Sequence, residues 1–192
     1  MKRLILLTLS LFVAGSAYAA TKSAAELEKE KAMQEPFAND YGPETLDAKY
    51  LKTLSKDAQK GYKTMRAKCA QCHSAARPLN SQFVEAAGKK KADRMKAATA
   101  LKKSNPELFK KDMKYVWQIE GAIWQRYVKR MMNKPGCEVS KIDGKFIWKF
   151  LSEDSRERKL KKAKSWTAKR KKMLADFKKK HPHRYKELYE GH

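Results

Sequence analysis

Cys69-Ala70-Gln71-Cys72-His73 is the stretch from which the rest of this chain is read. Two thiols stand one helical turn apart with an imidazole directly beside them. A thioredoxin-like Cys-x-x-Cys would follow a strand inside a βαβ unit, but Ser55 to Lys68 is charged and helix-favouring with no β-branched run. A structural zinc site takes four ligands in short paired spacings, and Cys137, His181, His183 and His192 lie far downstream without forming a second pair. What remains is chemistry that uses two thiols and a histidine together. Each thiol adds to one vinyl group of a haem, and the imidazole ligates its iron, so the pentapeptide reads as a c-type haem attachment site.

Upstream, Ser55 is a good N-cap residue, and the helix it starts runs through Gly61 and Met65 into the motif. Glycine in a helix interior costs about 1 kcal/mol relative to alanine, so Gly61 implies close approach of another helix. Downstream, Lys89 to Lys103 reads as a basic surface helix, and Asn105-Pro106 as the cap and first residue of the next one. In that helix Trp117, Gly121, Trp124, Val128 and Met131 recur at intervals of four, three, four and three, an apolar stripe ending at Met131-Met132 before a Pro135-Gly136 turn. A methionine thioether can serve as sixth haem ligand and raises the reduction potential. Spacing permits either Met131 or Met132, and either can equally be a core filler. Ser140 with Asp143 opens a closing helix whose apolar face is Phe146, Ile147, Phe150 and Leu151.

Several of these residues carry a family resemblance. Gly61-x-x-x-Met65-x-x-x-Cys69-x-x-Cys72-His73 resembles the opening of class I cytochromes c, with Met65 where an aromatic residue is usual. Trp124-x-x-x-Val128-x-Arg130-Met131, then Ser140 and Ile147-x-x-Phe150-Leu151, resembles the ending of a subset of small bacterial members. The resemblance implies Met131, directly after the arginine, as sixth ligand. It also implies a crossing of the first and last helices at Gly61 against Phe150, and Pro78 as carbonyl acceptor for the ligating histidine's second nitrogen. It covers residues 55–152, which are expected to form the haem domain.

The flanks lie outside that resemblance. Lys2-Arg3, the apolar run Leu4 to Val13 and Ala17-Tyr18-Ala19 read as an export signal over residues 1–19, the run being shorter than the about 20 residues that span a bilayer. Residues 20–54 read as an N-terminal extension, with a Ser23–Glu26 capping box opening a short helix and a Pro36–Pro43 loop after it. Residues 153–192 read as a basic helical extension to about Lys180, with Leu160, Ala163, Thr167, Leu174 and Phe177 at helical spacing and a break at His181-Pro182-His183. A tail histidine could replace methionine at the iron. Cys137 is an odd thiol expected near the methionine loop.

Fold class follows as all-α: the chain is rich in Lys, Ala, Leu, Glu and Met, with eight glycines and six prolines and no alternating strand pattern. The formal charge of +24 is uneven, residues 20–60 netting −1 against +14 for 61–151 and +9 for 152–192. Export to a periplasm removes nucleic acid as a partner for such charge, and leaves an acidic redox protein, a membrane-bound redox complex or an anionic membrane surface. The expected function is electron transfer by a monohaem c-type cytochrome, with one haem c bound through Cys69 and Cys72, axial ligands His73 and Met131, and no enzymatic turnover. The competing functions are a gas-sensing or peroxide-reactive haem with an open sixth site, and a cytochrome subunit docked to a membrane complex through its basic tail.

Overall fold

The computed structural model describes residues 21–84 and 90–190; the export-signal reading of residues 1–19 lies outside them. All the regular structure among the described residues is helical. The helices are α1 (Ala24–Gln34), α2 (Ala48–Thr53), α3 (Lys56–Lys68), α4 (Ala76–Leu79), α5 (Lys91–Ser104), α6 (Val116–Met132), α7 (Lys141–Asp154), α8 (Ala163–Lys180) and α9 (Pro182–Tyr189). No helix of the described residues is long and apolar enough to cross a membrane.

Three expected caps are present. Ser23 and Glu26 bond reciprocally at the start of α1, Ser140 and Asp143 do so at α7, and the Ser55 hydroxyl accepts the Ala58 N–H at α3. Each satisfies backbone donors that a helix start leaves free. Asn105-Pro106 behaves differently. It opens only a short 3₁₀ turn, Pro106–Phe109, and the Asn105 side chain makes no cap bond, its amide N–H donating to the Ser104 hydroxyl. The long helix starts afresh at Val116, where the Gln118 side chain accepts the N–H groups of Lys114 and Tyr115.

The core is built on the pairing of α3 with α7, the most extensive helix contact, and α6 packs on α7 beside it. Gly61 is the crossing point. A Cβ there would stand 2.6 Å from the Phe146 carbonyl carbon and 2.9 Å from Phe150 Cβ, so only glycine lets the backbones come this close. Ala58, Tyr62 and Met65 of α3, Trp124 and Val128 of α6, and Ile147, Phe150 and Leu151 of α7 form one buried cluster. Trp117 does not join it: 37% exposed, it stacks on Tyr115 at 5.7 Å. The buried face of α6 instead runs through Val116, Ile119, Glu120, Gly121, Trp124 and Val128.

The tail is not one continuous α-helix. Ser155–Leu160 is a π-helical turn that sends both Ser155 and Lys159 inward. After it α8 buries the expected Phe177 together with Trp166 and Met173, while Ala163 and Leu174 are half-buried and Thr167 is exposed. The N-terminal extension is stitched to the body. The Arg77 guanidinium donates to both Asp40 carboxylate oxygens at 2.9 and 2.7 Å and to the carbonyls of Ala32 and Glu35. The Asn80 amide donates to the carbonyls of Asn39 and Pro43.

Candidate functional site

The 3₁₀ turn Cys69–Gln71 that follows α3, with Cys72 and His73 directly after it, carries the Cys-x-x-Cys-His residues, and the last turn of α6 carries the methionines. A cavity of about 300 Å³ brings these distant segments together, lined by Cys69 and His73 from the first and by Met131 and Met132 from the second. That volume is at the lower end of the range usual for ligand pockets. Its apolar walls are Met65, Trp124, Val128, Ile147 and Leu151. Of the apolar face expected for α7, Phe146 and Phe150 do not line it: Phe150 is used at the Gly61 crossing, and Phe146 carries the Lys60 ammonium 4.1 Å from its ring centre. Arg77, Arg130 and Arg170 also line the cavity, and so do Phe37 and Asn39 of the N-terminal extension.

His73 is held from the backbone. Its Nδ1 lies 3.0 Å from the Ser74 carbonyl oxygen, and burial is the leading effect that lowers its pKa, so the ring is neutral at physiological pH. A neutral ring that donates from Nδ1 keeps its lone pair on Nε2, the form a metal needs. Ser74 therefore has the role expected of Pro78, which lies inside the short α4 with its carbonyl taken up by the Asn80 and Ser81 N–H groups.

The three cysteines are free thiols and gather at one end of the site. Burial pushes the Cys69 thiol up to about 12, with further contributions from Cys137 and Cys72. Cys72, half-buried and outside the cavity lining, is raised first by burial and then by Cys137. A thiol-disulfide catalyst needs the opposite, an attacking thiol with a lowered pKa. Among the described residues no group of three or more His, Cys, Asp and Glu converges as a bare metal ion would need.

The methionines are not equivalent. A Cβ on Gly144 would lie 2.5 Å from Met132 Sδ, so that sulfur is seated against the backbone of α7. Among the described tail histidines, His181 and His183 are not in the cavity lining, and His181 bonds the Tyr41 hydroxyl at 2.6 Å; His192 lies outside the described residues. The donor set therefore comprises thiols, an imidazole with a free Nε2 and a thioether over apolar walls, and it suits a covalently held haem. The Trp124 indole N–H is buried without a partner in the protein. An unpaired donor in a cavity that arginines also line fits a ligand that carries carboxylates.

Sequence reasoning passed over a buried polar cluster behind Trp124. Glu120 is 1% exposed and accepts from the N–H groups of Phe83 and Val84 and from the Ser155 hydroxyl at 2.9 Å. Lys159 is 0% exposed, 3.7 Å from Asp154, and Asp154 is also held by Arg158 and by the Tyr50 hydroxyl. A glutamate four residues before Trp124, inside the apolar stripe, was the signal for it. Comparison with protein-family models, curated proteins and solved structures finds no match for the chain.

Proposed function

We propose that this protein is a monohaem c-type cytochrome of the class I type that carries single electrons between redox partners outside the cytoplasm, without turning over a substrate. The observation that carries the reading is the single cavity into which segments about sixty residues apart deliver Cys69, His73 and the Met131-Met132 pair. Haem supplies one-electron chemistry at its iron, with axial ligands and surroundings setting the potential. The chain's own residues do the rest. Cys69 and Cys72 anchor the group covalently, and the Ser74 carbonyl fixes the ring of His73 with Nε2 available. Met131 would supply the thioether to the iron, because the Met132 sulfur packs against Gly144. Trp124, Val128, Ile147 and Leu151 exclude water, and the Trp124 N–H with Arg130 and Arg170 offers donors to the haem carboxylates.

With both an imidazole from His73 and a thioether from the Met131-Met132 pair facing the cavity, a bound haem would be left with no open site for a gas or peroxide, and this donor pair favours electron transfer over sensing. The basic surface suits an acidic redox protein or a membrane-bound complex, whose encounter it would accelerate in a salt-dependent way. The test is the protein purified after export. A haem that stays with the chain on denaturation, and is lost from it in Cys69→Ala/Cys72→Ala, is the expected result. A chain that emerges without haem from a host able to attach it overturns the reading.

A further inference from the structure

Electron transfer as derived above gives Lys159 no task, yet its burial is costly. An ammonium is kept from water only where it is paired and hydrogen-bonded. Lys159 Nζ donates to the Ser81 carbonyl at 2.5 Å and lies 5.3 Å from the ring centres of both Trp124 and Trp166. Ser81 and Trp124 both line the cavity, so the ammonium and the proposed haem share those two walls. The π-helical turn puts it there, a distortion of the kind often found at functional sites.

The charges around it are few and come from identified elements. Glu120 faces it from α6 and Asp154 from α7, while Arg158 comes from the π-turn itself. Tyr50 of α2 bonds Asp154, and α8 contributes the Trp166 ring. The two carboxylates balance Arg158 and Lys159 while Lys159 is protonated. Loss of its proton leaves the cluster negative on the far side of Trp124.

Resting on the haem reading, we propose that Lys159 sets the reduction potential of the group in the cavity and couples its reduction to a proton. The charged ammonium stabilises the added electron through the Trp124 wall. Above neutral pH the neutral amine takes one proton from solvent as one electron arrives from the redox partner; an N–H bond forms, and no bond breaks within the protein. Burial lowers Lys159 to about 8, with Asp154 and Glu120 opposing and Arg158 assisting, which places this exchange just above neutrality.

The experiment is spectroelectrochemical titration of the haem-loaded protein between about pH 6 and 10, with side-chain NMR of Lys159 in both oxidation states. In the wild type the potential is level below about pH 7. Above it the potential falls towards the one-proton limit, tenfold in the equilibrium constant per pH unit or about 59 mV for one electron, and the Lys159 pKa is higher in the reduced protein. Lys159→Arg, whose charge cannot be titrated away, keeps the high potential and loses the slope. Lys159→Met lowers the potential and also loses the slope. Should Lys159→Met not fold, the double variant Lys159→Met/Glu120→Gln removes one charge of each sign and still loses the slope. A slope that survives in Lys159→Arg, or a wild-type potential level across the range, overturns the proposal and leaves the haem reading intact. A wild type with no low-spin haem spectrum overturns that reading, and this proposal with it.

Discussion

Two helix glycines that a sequence treats alike should respond to alanine in opposite directions. Replacing an interior helix glycine by alanine gains up to about 1 kcal/mol from propensity, and both Gly61→Ala and Gly121→Ala collect it. At Gly121 the new methyl meets only Ser152 Oγ at 3.6 Å and Cβ at 3.8 Å, ordinary contacts, so the net change is stabilising by about 0.5–1 kcal/mol. At Gly61 it would stand 2.6 Å from the Phe146 carbonyl carbon, which belongs to the backbone of α7 and cannot rotate away. Overpacking of this kind costs about 1–3 kcal/mol. The obstacle is main chain, so the cost falls at the upper end and leaves a net loss of about 1–2 kcal/mol. For a chain of this size about 2–4 °C accompanies each kcal/mol. Thermal unfolding of the haem-loaded proteins should show Gly61→Ala lowered by about 2–8 °C and Gly121→Ala raised by about 1–4 °C. Equal shifts of the same sign would refute the account of the α3–α7 crossing, and with it the reason Cys69 to His73 lie where they do.

Other perturbations follow from the same contacts. Glu120→Ala removes the acceptor for two backbone N–H groups and the Ser155 hydroxyl; leaving buried donors unsatisfied costs about 1–3 kcal/mol each, measured as a fall in the urea midpoint. Arg77→Met cuts the paired hydrogen bonds to Asp40 and those to Ala32 and Glu35, so limited proteolysis should cleave within residues 21–45 well before the wild type is cut. Asp143 is held down to about 2, first by the Lys68 hydrogen bond and then by Ser140. Its depressed folded value makes the contribution whole above about pH 4, the unfolded range, and lost as pH falls through about 2; Asp143→Asn should flatten the acid limb of a stability-pH curve.

What could be read from the sequence was what depends on local pattern. Ser23, Ser55 and Ser140 announce helix starts because the cap bond is made within three residues, and Gly61 announces a crossing because glycine is costly there without one. The cavity's Cys69, His73 and methionines stand in motifs whose residue types carry their chemistry. The errors arose where tertiary contacts decide. Trp117 has the spacing of a core residue, yet the α6 face that meets α7 and the π-turn is centred on Glu120, Trp124 and Val128. Asn105 has the identity of a cap but bonds Ser104. Phe177 is buried as its spacing implied, but beyond the π-turn at Ser155–Leu160 it is joined by Trp166 and Met173 rather than by Thr167. Phe37 and Asn39 reach the site, on a segment held by the Arg77–Asp40 and Asn80–Asn39 hydrogen bonds, which no local pattern in the N-terminal extension could signal.

The central claim, a haem held between His73 and Met131, is tested most directly by the absorption spectrum of the oxidised protein, read at the weak charge-transfer band of a methionine-iron bond in the wild type, Met131→Ala and Met132→Ala. The account predicts a low-spin wild type with the band present, abolished in Met131→Ala and retained in Met132→Ala. A high-spin wild type without the band would contradict it and make an open-site haem the better description.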